Sequence, residues 1–164
     1  MSKSDKPAAD RSKYILLSPG GAKALSVVAI GGMYAWFLMK LFLVGDDPGL
    51  QLAVGLAALV GMVGSIVMFL CTYSFVANAP DRYLDEREIQ DRNAAYMRAY
   101  TYAVSLLLVG YIASDVVGKV YSGFEVTSHV VTNFLNLAFF TCLIMPATIL
   151  AWRDQSIDEA SIKQ

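Results

Sequence analysis

Two clusters of ionisable side chains are the parts of this sequence that could act on another molecule. The denser one runs from Asp81 to Arg98 and holds four arginines and five acids. Arg82/Glu86, Arg87/Asp91 and Glu88/Arg92 are each four residues apart, so each pair shares a helix face and can form an ion pair. Asp81 directly follows Pro80, where an acid favours a helix N-terminus. A mixed-charge helix face suits contact with a partner better than catalysis. Asp85, Glu86, Arg87 and Arg92 are therefore the candidate docking residues. The sparser cluster is Lys40, Asp46, Asp47, Asp115, Lys119, Glu125 and His129. Carboxylates with one imidazole can hold a divalent cation. The same residues also make an ordinary solvated rim, with a Lys40–Asp115 or Asp115–Lys119 ion pair worth little. The rim is the simpler reading, and no metal ligand is assigned.

Asn133 and Asn136 are close in an otherwise apolar block, with Thr132 and Thr141 nearby. They are expected to face other helices and hydrogen-bond to them, for roughly 0.5–2 kcal/mol each. A polar pocket is the sharper alternative. Otherwise the sequence holds little chemistry. It has no Gly-x-Ser-x-Gly, no His-Glu-x-x-His and no phosphate loop, so no catalytic residue is assigned. The one histidine cannot supply the axial pairs of a multi-haem protein, and no cofactor is expected. Cys71 and Cys142 lie inside apolar blocks and read as buried free thiols. No basic patch or motif points to nucleic acid.

The elements that must position these groups are four apolar blocks. The chain has 164 residues, 56% hydrophobic and 16% charged, against roughly 25% charged in soluble domains. Nearly all the charge lies outside the blocks, whereas a soluble domain needs it on every helix. The expected fold is all-α: an integral membrane bundle of four transmembrane helices over 24–152. Its spans are at about 24–44, 50–77, 99–117 and 129–152, each near or above the ~20 residues that cross a bilayer core. A charged cytoplasmic helix, 81–98, extends the third span towards the second. Tails at 1–23 and 153–164 complete the division. The first block is longer than a secretory h-region and no small-residue cleavage site follows it, so it reads as an uncleaved span.

Local signals refine this layout. Ser18-Pro19 and Asp47-Pro48 each place a capping side chain before a proline at a helix start. The patch Tyr14–Leu17 is expected in the lipid interface, and Trp152-Arg153 as an interface anchor. The second block is long enough to be tilted or to run past the bilayer. Pro146 should kink the fourth span. Ala57, Gly61 and Ser65 on the second span, and Gly110, Ser114 and Gly118 on the third, repeat every four residues, as helix contacts in lipid do. Lysine and arginine are distributed unevenly: five before the first span, four in the central loop and two in the last tail, against Lys40 and Lys119 on the other side. Eleven against two predicts cytoplasmic termini.

Leu84-Asp85-Glu86-Arg87, followed by Arg92 and Ala94-Ala95-Tyr96 between the second and third spans, resembles a pattern in small uncharacterised four-span bacterial inner-membrane proteins. It covers about fifteen residues plus the four-span layout. The resemblance implies a bacterial plasma membrane location and transfers no activity.

With no charge at the middle of any span, a coupled transporter with midplane carboxylates is disfavoured. The expected function is that of a non-enzymatic membrane protein acting by protein–protein contact, such as an accessory subunit of a larger membrane complex or a regulatory protein. Its partners would be the lipid bilayer and other membrane proteins or copies of itself. The alternative is a small transporter or channel with a polar pathway near the fourth span.

Overall fold

The computed structural model describes residues 14–43, 47–120 and 127–153. Five helices account for most of them: α1 (Pro19–Phe42), α2 (Pro48–Phe69), α3 (Thr72–Asn78), α4 (Glu86–Val120) and α5 (Ser128–Arg153). A 3-10 turn, Asp81–Tyr83, lies between α3 and α4, and no strand occurs among the described residues. Helices α1, α2, α4 and α5 are each long and apolar enough to cross a membrane. The expected all-α, four-span architecture is therefore present. We call the end where α1 begins and α5 finishes the basal end, and the other the apical end.

The helix starts follow from local chemistry. Ser18 accepts a bond from the Gly21 amide at 3.1 Å, with Pro19 in the first turn of α1. Asp47 accepts from the Gly49 and Leu50 amides at 3.4 and 3.3 Å, with Pro48 following. Both satisfy amides that a helix start leaves without intrahelical partners.

The core is organised by α5, which touches every other helix. Its buried face includes Leu137, Thr141, Ile144, Thr148 and Ala151. Antiparallel α1 and α2 form the tightest pair, and small residues explain why. A Cβ at Gly32 would lie 2.8 Å from the Gly61 nitrogen, and one at Gly61 would lie 2.7 Å from the Met33 nitrogen. Two backbones meet there with no room for side chains. Gly64 faces Ala29 in the same seam, and Ser65 is fully buried, its hydroxyl donating to the Gly61 carbonyl at 2.8 Å. Ala57 and Gly61 of the stripe thus meet α1, with Gly64 extending the contact. Of the second stripe, Gly110 lies under the ring of Phe134 on α5 and Ser114 is exposed, while the surroundings of Gly118 fall outside the described residues.

The second apolar block is not one span. It stops as α2 at Phe69 and resumes as α3 at Thr72. The patch expected in the interface fills the break: the Ile15 amide donates to the Leu70 carbonyl at 2.9 Å, and the Thr72 amide donates to the Ile15 carbonyl at 3.1 Å. The Tyr14 ring packs against Phe75, tilted by 58° at 5.1 Å between centroids, and Leu17 packs on the core cluster around fully buried Cys71. Backbone groups left open in an apolar setting cost about 2–7 kcal/mol each, and Ile15 removes both liabilities. The charged helix expected over 81–98 also begins later. Asp81–Tyr83 is the 3-10 turn, and α4 starts at Glu86. Pro146 sits inside α5, which continues around it to Arg153.

The α1–α2 seam generates a direct test. Gly61→Leu should lower stability in detergent by about 1–3 kcal/mol or more, as overpacking does. Gly31→Ala and Gly55→Ala, whose added Cβ would meet nothing within 4 Å, should be neutral or slightly stabilising. Equilibrium unfolding of the three purified variants compares them. Equal losses in all three would rule out a backbone-to-backbone seam.

Candidate functional site

The basal end carries the charged cluster, built around the start of α4. Asp85 and Glu88 form a reciprocal cap: the Glu88 amide donates to Asp85 Oδ1 at 2.6 Å, and the Asp85 amide donates to Glu88 Oε2 at 3.1 Å. This is a capping box with aspartate in place of serine. Leu84 beside it is fully buried and pins the turn.

Arg92 reaches back across that turn. Its guanidinium donates to the Ala79 carbonyl at 2.8 Å and to Asp81 Oδ1 at 2.6 Å. The Arg92 side chain is only 15% exposed, whereas Asp81 is 69% exposed. The carbonyl bond is therefore the less screened of the two. Asn78 adds a second tie. Its amide donates to the Ser74 carbonyl at 2.8 Å, and its Oδ1 accepts from the Tyr96 hydroxyl at 3.1 Å. Arg153 at the end of α5 pairs with Asp91 at 2.7 Å, and Arg87 approaches the same carboxylate at 3.9 Å. These ion pairs and hydrogen bonds together hold α3, α4 and α5 at one end.

The four candidate docking residues separate on this basis. Asp85 is engaged in capping and Arg92 in holding the α3–α4 connection. Glu86 and Arg87 stay exposed, Arg87 at 83%. Arg98, further along α4, is also exposed. Arg82 lies over the Tyr83 ring at 4.7 Å. The partner of Arg92 is Asp81, although spacing alone suggests Glu88. Sequence reasoning misses Arg153, Asn78 and Tyr96 as members of this cluster. An Asp-x-x-Glu spacing before a helix could have exposed the cap, but the Arg153–Asp91 pair joins residues far apart in the chain and leaves no local trace.

A cavity of about 200 Å³ opens beside this end, lined by Asn78, Tyr96, Cys142, Leu143 and Pro146 among others. It lies where α5 is flanked by α3 and α4, and its lining is mostly apolar.

At the apical end the rim does not gather among the described residues. Asp47 caps α2, and Asp115 bonds Lys119 at 2.7 Å, both exposed. Lys40 and His129 are exposed. Asp46 and Glu125 lie outside the described residues. Among the described residues, no three His, Cys, Asp or Glu side chains come together as metal ligands.

Within the spans, Asn133 and Asn136 are half-buried. The polar ties between helices there are others: the Tyr34 and Tyr102 hydroxyls at 2.9 Å, joining α1 to α4, and Trp152 Nε1 donating to Ser26 Oγ at 3.1 Å, joining α5 to α1. Trp152 thus does more than the interface anchoring expected of it. Thr141 returns its hydroxyl to the Leu137 carbonyl at 2.7 Å.

Two substitutions distinguish the structural arginine from the exposed one. Arg92→Ala should cost about 1.5–3 kcal/mol, the range for hydrogen bonds from a charged donor. Arg87→Ala should change stability by less than about 0.5 kcal/mol, as exposed pairs do. Unfolding of both variants in one detergent checks the contrast, and comparable effects would disprove the assigned roles. Compared with known proteins, the chain matches no family model, no curated protein and no solved structure.

Proposed function

We propose that the protein works by contact, as a non-enzymatic accessory or regulatory component of a membrane assembly, with α4 as its docking helix. One observation carries this reading. Of the four membrane-length helices, α4 is both the least apolar and the least buried. A span that faces lipid alone gains by being apolar, and polar or charged groups in such a span are expensive. Thr101 and Ser114 return their hydroxyls to the Met97 and Tyr111 carbonyls of the same helix, yet α4 leaves Tyr100, Ser105 and Tyr111 exposed along its length. A protein neighbour would accept those hydroxyls better than acyl chains do.

The same helix runs unbroken into the exposed charges of Glu86, Arg87 and Arg98. One helix therefore offers a partner both an intramembrane face and a charged face outside the membrane. Asp85 and Arg92 shape that surface rather than touching the partner. We place the protein in a bacterial plasma membrane with both termini and the start of α4 in the cytoplasm. The support is the uneven distribution of lysine and arginine, eleven against two, together with the resemblance of the Leu84–Tyr96 stretch.

Gentle extraction from the native membrane should recover the chain in a complex larger than itself. A Glu86→Lys/Arg87→Glu/Arg98→Glu variant should keep its thermal stability and lose at least about tenfold of the captured partner, equivalent to about 1.4 kcal/mol. Recovery of wild type and variant alike as the isolated chain would overturn the proposal. Orientation is checked separately with an impermeant thiol reagent on Lys119→Cys, which should react from outside intact cells.

A further inference from the structure

We propose that Tyr14–Leu17 is a latch: seated, it keeps α2 and α3 apart, and released, it lets them join into one helix from Pro48 to Asn78. The break has no local cause. From Leu70 to Asn78 the chain contains neither proline nor glycine, the usual reasons for a helix to stop. The amides on either side already follow helical geometry. Leu70 donates to the Ile66 carbonyl at 3.0 Å and Phe75 to the Cys71 carbonyl at 3.2 Å. Between them the ladder departs from a helix: Cys71 N–H donates to the Met68 carbonyl at 3.4 Å, Ser74 N–H to the Cys71 carbonyl at 3.0 Å, and Ile15 takes the Thr72 amide and the Leu70 carbonyl. A continuous helix would re-pair all of these internally. Thr72 N–H would return to the Met68 carbonyl, and the Leu70 carbonyl would accept from Ser74 N–H.

Irregular backbone at membrane depth persists only where protein satisfies it. Ile15 is that protein, bonding both sides of the break, with Tyr14 against Phe75 and Leu17 on the Cys71 cluster. Without it, the nearest way to satisfy the same groups is to close the helix.

The latch is coupled to the basal end. Asn78, the last residue of α3, holds the Tyr96 hydroxyl, and the next residue, Ala79, holds Arg92. Straightening α2 through α3 would carry both away from α4. Backbone geometry alone carries the latch, whether or not α4 docks a partner.

The test measures the distance between spin labels at Leu59→Cys on α2 and Val76→Cys on α3. It uses the full chain in lipid nanodiscs, in a Cys71→Ala/Cys142→Ala background. Ile15→Pro removes the amide that bonds Leu70, and Ile15→Val retains it. The chain with Ile15 and the Ile15→Val variant should each give one short distance. Ile15→Pro should add a population at about 25 Å, the span of a straight helix at 1.5 Å per residue. An unchanged distribution in Ile15→Pro, or the straight-helix distance already dominant with Ile15 present, would refute the latch. If Ile15→Pro is not recovered folded, hydrogen exchange of the unmodified chain decides. Slow exchange of the Ile15 and Thr72 amides supports a seated latch, and exchange of the Ile15 amide at the free-chain rate overturns it.

Discussion

Leu70 offers a carbonyl and Thr72 an amide at the point where α2 gives way to α3, and Ile15 takes both. In water such a break would cost little, because solvent would fill the vacancies. In a bilayer core no solvent is available, and each open group costs several kcal/mol. The need to satisfy backbone polar groups internally therefore governs the basal half of the molecule. It draws the segment before α1 into the bundle, directly ahead of the Ser18 cap of α1. It also sets the short α3 at the place from which Asn78 and Ala79 reach α4.

Close approach governs the other half. Helices surrounded by acyl chains gain little from apolar burial against one another, so contact area must come from backbones drawn together. Gly32 and Gly61 achieve this for α1 and α2. Sequence spacing exposed one partner, the Ala57/Gly61/Ser65 stripe, because all three lie on a regular four-residue repeat. It did not expose Gly32, whose contact depends on which turn of α1 faces α2. The four spans were legible for a simpler reason: continuous apolar length is itself the physical requirement for crossing a bilayer. The break at Leu70 was illegible because no residue there forbids a helix. Its cause lies more than fifty residues earlier, at Ile15.

The charged stretch shows how one residue pattern serves two purposes. Four-residue spacing placed Arg82, Arg87 and Glu88 opposite suitable partners, and Arg87–Asp91 forms as that spacing implied. Glu88 is committed to the cap of α4, and Arg92 turns back to Ala79 and Asp81. Helix starts have unsatisfied amides that take priority over surface ion pairs, because a cap is worth about 0.5–2 kcal/mol and an exposed pair often less than about 1 kcal/mol. Part of the stretch is consumed in building the end of the bundle, and the charges left over mark what remains available to another molecule.

Those leftover charges lie on α4, and so does the uncovered face within the spans. Helix α5 touches every other helix, while α4 leans mainly on α5 and α3. Evolution of a lone bundle would favour the opposite assignment, with the more polar helix inside and the more apolar one against lipid. Tyr102 shows the constraint at one position. Its hydroxyl reaches Tyr34 on α1, so the inward-facing side of α4 satisfies its polar groups within the bundle. Tyr100 and Tyr111 on the outward side are exposed. With Tyr102 satisfied on the inner side and Tyr100 and Tyr111 exposed on the outer one, α4 has two unlike faces, and the docking role proposed for this helix rests on that asymmetry.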